Sequence, residues 1–88
     1  MNNVKLTLSS ISMDLLRVAI GINRKSFKMA EIFKLEAIAG AKTIQKKEVP
    51  PYIFKILTNL EKTLANDNSM DVAEDSLMYS TLFRNVCS

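Results

Sequence analysis

Histidine is absent from this 88-residue chain, and cysteine, glycine and proline are scarce, at one, two and two residues. Histidine is the side chain most often used as a general base and as a metal ligand, so its absence excludes Ser-His and Cys-His nucleophile pairs. The two glycines stand alone, which excludes a glycine-rich phosphate-binding loop. We therefore expect no catalytic, metal or cofactor site, and we do not expect an enzyme.

The single cysteine and the short apolar runs bear on where the protein works. Cys87 has no internal partner, so no disulfide framework can form, and a reducing, cytoplasmic setting is favoured. The apolar run over residues 15–22 is interrupted by Arg17 and is far shorter than the roughly 20 residues that span a bilayer. Neither a membrane span nor a secretory signal is expected.

The composition is typical of a globular protein, with 48% apolar and 24% charged residues. Residues 1–88 are therefore predicted to form one small domain. A domain of this size buries only about 60–65% of the surface that its unfolded chain exposes, so its stability is marginal. Association with a second copy is one way to reinforce such a domain, and we expect a homodimer.

Turn residues and prolines divide most of the chain into segments whose apolar residues recur at helical spacing. Pro50 and Pro51 mark the firmest boundary, because a proline disfavours helix in the residue before it. The predicted helices begin near Ser12, Ser26, Pro51 and Ser69, and the first two end near Ile22 and Gln45. The predicted fold class is all-α, a compact bundle of three to four helices over residues 9–88.

The second predicted helix contains a run of small residues. Ala37 to Ala41 includes three alanines and Gly40. A glycine in the middle of a helix costs roughly 1 kcal/mol relative to alanine, so a close contact explains it better than helix propensity does. We expect another helix to approach closely at this point.

The first eight residues have a different pattern. Val4, Leu6 and Leu8 alternate with Lys5 and Thr7, which is the period-2 spacing of a half-buried strand. The segment is short, so the pattern fits either a short strand or an extended arm ahead of the bundle.

The order strand, helix, turn and longer helix resembles that of the ribbon-helix-helix repressors, over about half of the chain. The resemblance rests on the order of elements and implies a regulator whose paired strands enter the major groove of DNA. It implies base contacts from Lys5 and Thr7, and Arg24, Lys25 and Lys28 add positive charge at the turn. A net charge of +3 and an acidic second half weigh against this alternative.

Charge is divided unequally along the chain. Residues 1–47 carry nine basic and three acidic residues, a net of +6, whereas residues 48–88 carry three basic and six acidic residues, a net of −3. The lysines of the second helix share their stripe with Leu35 and Ile38, and apolar anchors with a charged rim are typical of a protein interface. The residues predicted to bind a protein partner are Phe27, Lys34, Leu35, Ile38, Lys42, Tyr79 and Phe83.

The chain has more apolar faces than one small core buries. The first predicted helix is apolar almost all round, and the fourth has two apolar sides unless it breaks near Ser80 and Thr81. The leading hypothesis is therefore a non-catalytic, homodimeric adaptor or regulatory module that presents helix surfaces to a protein partner. The alternatives are the DNA-binding regulator and, more weakly, association of the lysine stripe with an anionic membrane surface.

Overall fold

A computed structural model describes residues 3–64 and 67–87 and confirms the all-α bundle. Four helices pack together, and a single turn of 3-10 helix over Lys46–Glu48 joins the second to the third. The described residues contain no strand. The helices are α1 (Val4–Asn23), α2 (Phe27–Ala41), α3 (Pro51–Leu64) and α4 (Met70–Cys87).

Helix α1 begins at Val4, so the predicted strand or arm over residues 4–8 is corrected: these residues form the first turns of the helix. Val4 and Leu8 are buried, and Leu6 is 69% exposed. Val4, Leu8, Ile11 and Leu15 follow the spacing i, i+4, i+7 and i+11, which places them on one side of a helix. The helical period of the buried residues therefore overrides the short alternating pattern.

Helices α1 and α2 run antiparallel and approach closely at two glycines. A Cβ atom on Gly40 would lie 3.0 Å from Cγ1 of Ile11, and one on Gly21 would lie 3.1 Å from the backbone nitrogen of Ala30. Because each glycine lacks that atom, the two helices can pack at this separation. The expected close approach at Gly40 is therefore present, and α1 is the helix that makes it.

Helices α1 and α4 are joined by two buried serines. Ser12 Oγ donates a hydrogen bond to the carbonyl oxygen of Ser80, and Ser80 Oγ donates one to the carbonyl oxygen of Ser12, both at 2.7 Å. The two hydroxyl oxygens lie 3.3 Å apart. Small side chains let the backbones come close, and the reciprocal hydrogen bonds satisfy both buried hydroxyl groups.

Helix α2 ends at Ala41, one turn before the predicted end near Gln45. Gln45 instead precedes the 3-10 turn, where its backbone N–H donates to Oε1 of Glu48 at 2.7 Å. The carbonyl oxygen of Pro50 then accepts a hydrogen bond from Phe54 in the first turn of α3. The boundary predicted at the two prolines is confirmed.

Helix α4 is continuous from Met70 to Cys87, so no break occurs near Ser80 and Thr81. The hydroxyl of Ser69 accepts a hydrogen bond from the N–H of Val72, as the predicted cap requires. The residues that α4 buries are Val72, Ala73, Ser76, Ser80 and Phe83. Met70 and Leu77 lie on another side of the helix and remain exposed.

In the described part of the chain, α1 is the one helix whose length and composition would allow it to cross a membrane. Its most apolar window is 44% buried inside the bundle, and the core helix of a soluble protein passes the same test. A membrane span is therefore not strongly indicated.

Candidate protein-binding groove between α2 and α3

A shallow groove runs between α2 and α3, where the two helices are not in full contact. It consists of two adjoining depressions of about 260 and 200 Å³, which share Ile38 and Glu61. Buried residues form its floor, and half-buried Ile38 and Phe54 stand on its two walls. We call this feature the α2–α3 groove. Its apolar lining residues are Leu35, Ile38, Ala41, Ile44, Phe54, Leu57, Leu60 and Leu64.

Charged side chains border the groove on both sides. Lys42, the residue that follows α2, has its Nζ 3.5 Å from Oε1 of Glu61 on α3, and both side chains are about two-thirds exposed. An exposed ion pair of this kind contributes at most about 1 kcal/mol to stability. The pair can therefore open at little cost if another charged group competes for either member.

Lys34 is buried, which corrects its predicted place on an outer lysine stripe. Its side chain is 4% exposed, and its Nζ donates to Oε2 of Glu31 at 3.1 Å and to the carbonyl oxygen of Asp67 at 2.9 Å. The contact with Asp67 ties α2 to the segment that precedes α4. Lys34 therefore closes one end of the groove and is not a free cation on its rim.

Four of the residues that the sequence predicted for partner binding line the groove: the buried Lys34, and Leu35, Ile38 and Lys42. Leu35 is 68% exposed at the edge of the groove. Phe27, another predicted residue, is exposed at the start of α2, four residues before Glu31 and outside the groove lining.

The two aromatic residues predicted on α4 lie elsewhere. Phe83 is fully buried in the core, so it is not available to a partner, and its prediction is corrected. Tyr79 is half-buried and stacks on Phe83 with ring centroids 6.4 Å apart. Because α4 turns this side toward the core, its larger apolar stripe supports the fold.

The residues predicted to contact DNA are not gathered on one surface. Lys5 and Thr7 lie at the start of α1, and Arg24, Lys25 and Lys28 follow its end. The 19 residues from Lys5 to Arg24 rise by about 28 Å along a helix. Since residues 4–8 are helical, the DNA-binding alternative also lacks the strand on which it depended.

Among the residues that the structure describes, three titratable groups have shifted pKa values. Burial, and then the charge of Glu36, raises the pKa of Asp14 to about 6. Burial also raises the pKa of the Cys87 thiol, whose Sγ donates to the carbonyl oxygen of Lys5 at 3.4 Å. Hydrogen bonds from Ser69 lower the pKa of Asp67. The described residues contain no group of three acidic or thiol side chains able to hold a metal ion.

Sequence reasoning missed the contribution of α3 to the groove. Phe54, Thr58 and Glu61 recur at i, i+4 and i+7 beside the buried stripe of α3, so they form a second stripe along one edge of the helix. This spacing was visible in the sequence. The sequence does not show which helix lies beside this edge of α3, because that depends on how α2 and α3 pack.

A comparison of the chain with models of protein families, with curated proteins and with solved structures returned no match.

Proposed function

We propose that this chain is a non-catalytic protein–protein interaction module that binds an amphipathic helix of a partner in the α2–α3 groove. The observation that carries the proposal is the partly open apolar seam between two helices, with Leu35, Ile38 and Phe54 accessible along it. Grooves of this kind accept a helix whose apolar residues recur at i, i+3 or i+4, and i+7.

The shape of the groove supports a helix over a small molecule. Pockets for small ligands bury most of the ligand surface. The groove is shallow, and its two depressions of about 260 and 200 Å³ lie end to end along the helices. Successive apolar side chains of one helix can fill two such depressions, with the remainder of that helix exposed to water.

The charges around the groove favour an acidic partner. Residues 27–64 contain seven lysines and four glutamates, a net of +3. The charged residues that line the groove balance, because Lys34 pairs with Glu31 and Lys42 with Glu61. The excess positive charge comes from lysines outside the lining, such as Lys46 and Lys47, which are exposed just after α2. A helix with acidic residues beside its apolar stripe would be attracted by this charge as it approaches, which increases the association rate and favours that partner over basic ones.

A display library of amphipathic helical peptides tests the proposal with the wild-type full chain and three variants of it. Selection on the wild-type protein is expected to enrich peptides with helically spaced apolar residues and a net negative charge. Leu35→Lys and Ile38→Lys place a charge in the groove and should abolish binding of the enriched peptides. Ile32→Lys is the matched control, because Ile32 is exposed on α2 but does not line the groove.

Two results would contradict the proposal. One is that no helical peptide is enriched on the wild-type protein. The other is that Ile32→Lys reduces binding as much as Leu35→Lys does, which would place the contact outside the groove. Circular dichroism of each variant checks that its helix content is unchanged.

A further inference from the structure

Positive charge is concentrated at one end of the bundle. Residues 4–8, 41–55 and 84–87 together carry six basic residues and one acidic residue, a net of +5. The other described residues carry six basic and eight acidic residues, a net of −2. We call the three segments the basic end. Its cations are Lys5, Lys42, Lys46, Lys47, Lys55 and Arg84.

Contacts between the helices bring these three segments together. The Sγ of Cys87 donates to the carbonyl oxygen of Lys5 at 3.4 Å, so α4 ends beside the start of α1. A Cβ atom on Gly40 would lie 3.8 Å from Cγ2 of Thr7, so α2 also ends there. The first turn of α3 lines the same depression of the α2–α3 groove as Lys42 does. The groove therefore opens onto the basic end.

The cations of the basic end are exposed, and most of them have no ion-pair partner. All six side chains are exposed. Within the described part of the chain, the one ion pair among them joins Lys42 to Glu61, which is itself exposed. Like charges that share one surface repel each other, and an anionic ligand that neutralises them relieves this repulsion. The basic end is therefore suited to bind a segment with several negative charges.

The opposite end of the bundle has no such excess. It consists of residues 24–34 and the described residues of 61–75, which carry five basic and six acidic residues, a net of −1. Lys34 connects these two segments, because its Nζ donates to the carbonyl oxygen of Asp67 at 2.9 Å. A helix that lies in the groove thus has one end beside a net of −1 and the other beside a net of +5.

The length of the groove sets where an acidic segment of the partner would lie. From Glu31 to Lys42 the groove follows 11 residues of chain along α2, which correspond to about 16 Å. A partner helix of about three turns fills this length. Residues that adjoin this helix in the partner sequence then lie beyond Lys42, within reach of Lys46 and Lys47.

Building on the proposed function of the α2–α3 groove, we infer that the partner helix is immediately preceded by an acidic segment, which binds the basic end. Acidic residues stabilise a helix at its N-terminus and destabilise it at its C-terminus, because of the helix dipole. An acidic segment before the helix therefore favours both the partner's own helix and its contact with the lysines. The partner helix then runs parallel to α3, which also begins at the basic end, and antiparallel to α2.

Continuity with the groove favours an acidic peptide over a nucleic acid. Lys42 belongs to the groove lining and to the basic end, so one polypeptide can occupy both. The groove beside it presents Ile38 and Phe54, which are half-buried apolar side chains. These side chains match the apolar stripe of a helix and offer nothing to a phosphate backbone.

Two extended versions of one helical peptide test the inference with the full chain. The peptide is one that the wild-type protein enriches from the display library, and a run of glutamates is added either before or after its helix. In about 0.1 M salt the peptide with the glutamates first should bind roughly tenfold more tightly. Most of this advantage should disappear in about 1 M salt, where charges are screened beyond about 3 Å.

A charge-reversed variant locates the contact. The double variant Lys46→Glu, Lys47→Glu should remove the advantage of the peptide with the glutamates first. Its matched control is Arg24→Glu, Lys28→Glu, which makes the same change of charge at exposed residues of the opposite end and should preserve the advantage. Circular dichroism checks that both variants keep their helix content.

The inference is overturned if the peptide with the glutamates last binds as tightly as the other, or if the control variant loses the advantage as the Lys46 and Lys47 variant does. Tighter binding of duplex DNA or of phosphatidylglycerol vesicles than of either peptide would assign the basic end to phosphate groups instead. Equal binding of the two peptides contradicts this inference alone, whereas the absence of any bound helical peptide contradicts the groove proposal as well.

Discussion

The contacts of α1 with its two neighbours differ sharply from the contact between α2 and α3. Small residues bring α1 close to both α2 and α4: glycines face α2, and serines exchange hydrogen bonds with α4. Between α2 and α3, larger side chains hold the helices apart and leave the groove partly open. Close packing therefore forms the frame of the bundle, and α3 is attached to that frame through a looser seam.

The close contacts of α1 stabilise the fold, whereas the partly open α2–α3 groove leaves surface accessible for binding. Close-packed side chains lose contacts when an atom is removed and clash when one is added, so substitutions at the α1 seams should be costly. Half-buried side chains in the groove already contact water and can exchange that contact for a partner. The same chain thus keeps a fixed frame while it leaves apolar surface available.

The largest expected effect is a loss of the free energy of unfolding, and it should differ between two phenylalanines, one in the core and one on the groove wall. Phe83→Ala should reduce the free energy of unfolding by about 3–5 kcal/mol, because the ring is fully buried and leaves a cavity. Phe54→Ala on the groove wall should cost roughly 1–2 kcal/mol, because part of its ring surface is already exposed. Urea denaturation followed by circular dichroism measures both values. Equal losses would mean that the groove wall is packed as tightly as the core.

A smaller effect is expected from adding one methyl group to each glycine of α1 and α2. Gly21→Ala should destabilise the fold by roughly 1–3 kcal/mol, because the new Cβ meets backbone atoms of Ala30 and Ser26 at 3.1 Å. Gly40→Ala should cost less, because the new Cβ meets the side chain of Ile11 and no backbone atom of α1, and because alanine favours the helix. Thermal unfolding of both variants checks the order, and the reverse order would place the tighter contact at Gly40.

The smallest effect concerns the carboxyl group of Asp14 beside α2. Its pKa of about 6 exceeds the ordinary 3.8, so between these values the folded state holds a proton that the unfolded chain has lost. Stability therefore falls as the pH rises through this window. Asp14→Asn should raise the free energy of unfolding at pH 7 by less than about 1 kcal/mol, since solvent screens this partly exposed group.

The difference between Asp14→Asn and wild type should disappear below pH 4. Thermal melts at several pH values measure this dependence. Glu36→Gln is a companion variant, because it removes the neighbouring charge and should act in the same direction at pH 7. A variant that is less stable than wild type at pH 7 would show that the Asp14 carboxylate makes a favourable contact in the fold.

The sequence predicted a bundle of three to four helices and the boundary at Pro50 and Pro51 because these depend on local chemistry. It failed at the start of α1, since alternation over residues 4–8 competed with a helical stripe that becomes clear only when Val4 and Leu8 are read together with Ile11. A segment of only five residues fits both the two-residue period of a strand and the 3.6-residue period of a helix. Packing against α4 and α2 decides between them, and that packing is not a local property.

The sequence predicted only part of the α2–α3 groove, because the packing of the helices decides which side chains are exposed. Leu35, Ile38 and Lys42 were identified from their common stripe on the second predicted helix, whereas Lys34 was taken as exposed because lysines usually are. Its position in line with Ala30, Ala37 and Ala41 could have revealed its burial, because small neighbours leave depth for a long side chain. Phe83 was misplaced because two apolar sides of α4 were visible without a sign of which one faces the core.

The reciprocal hydrogen bonds between Ser12 and Ser80 also fix the alignment of the two helices along their length. Apolar side chains tolerate sliding, because one methyl group can replace another at little cost. Each serine instead needs a carbonyl oxygen at 2.7 Å, and a displacement by a fraction of a turn would break both hydrogen bonds. Two small polar residues, 68 positions apart in sequence, therefore restrict the alignment of α1 and α4 to positions that bring a carbonyl oxygen opposite each hydroxyl group.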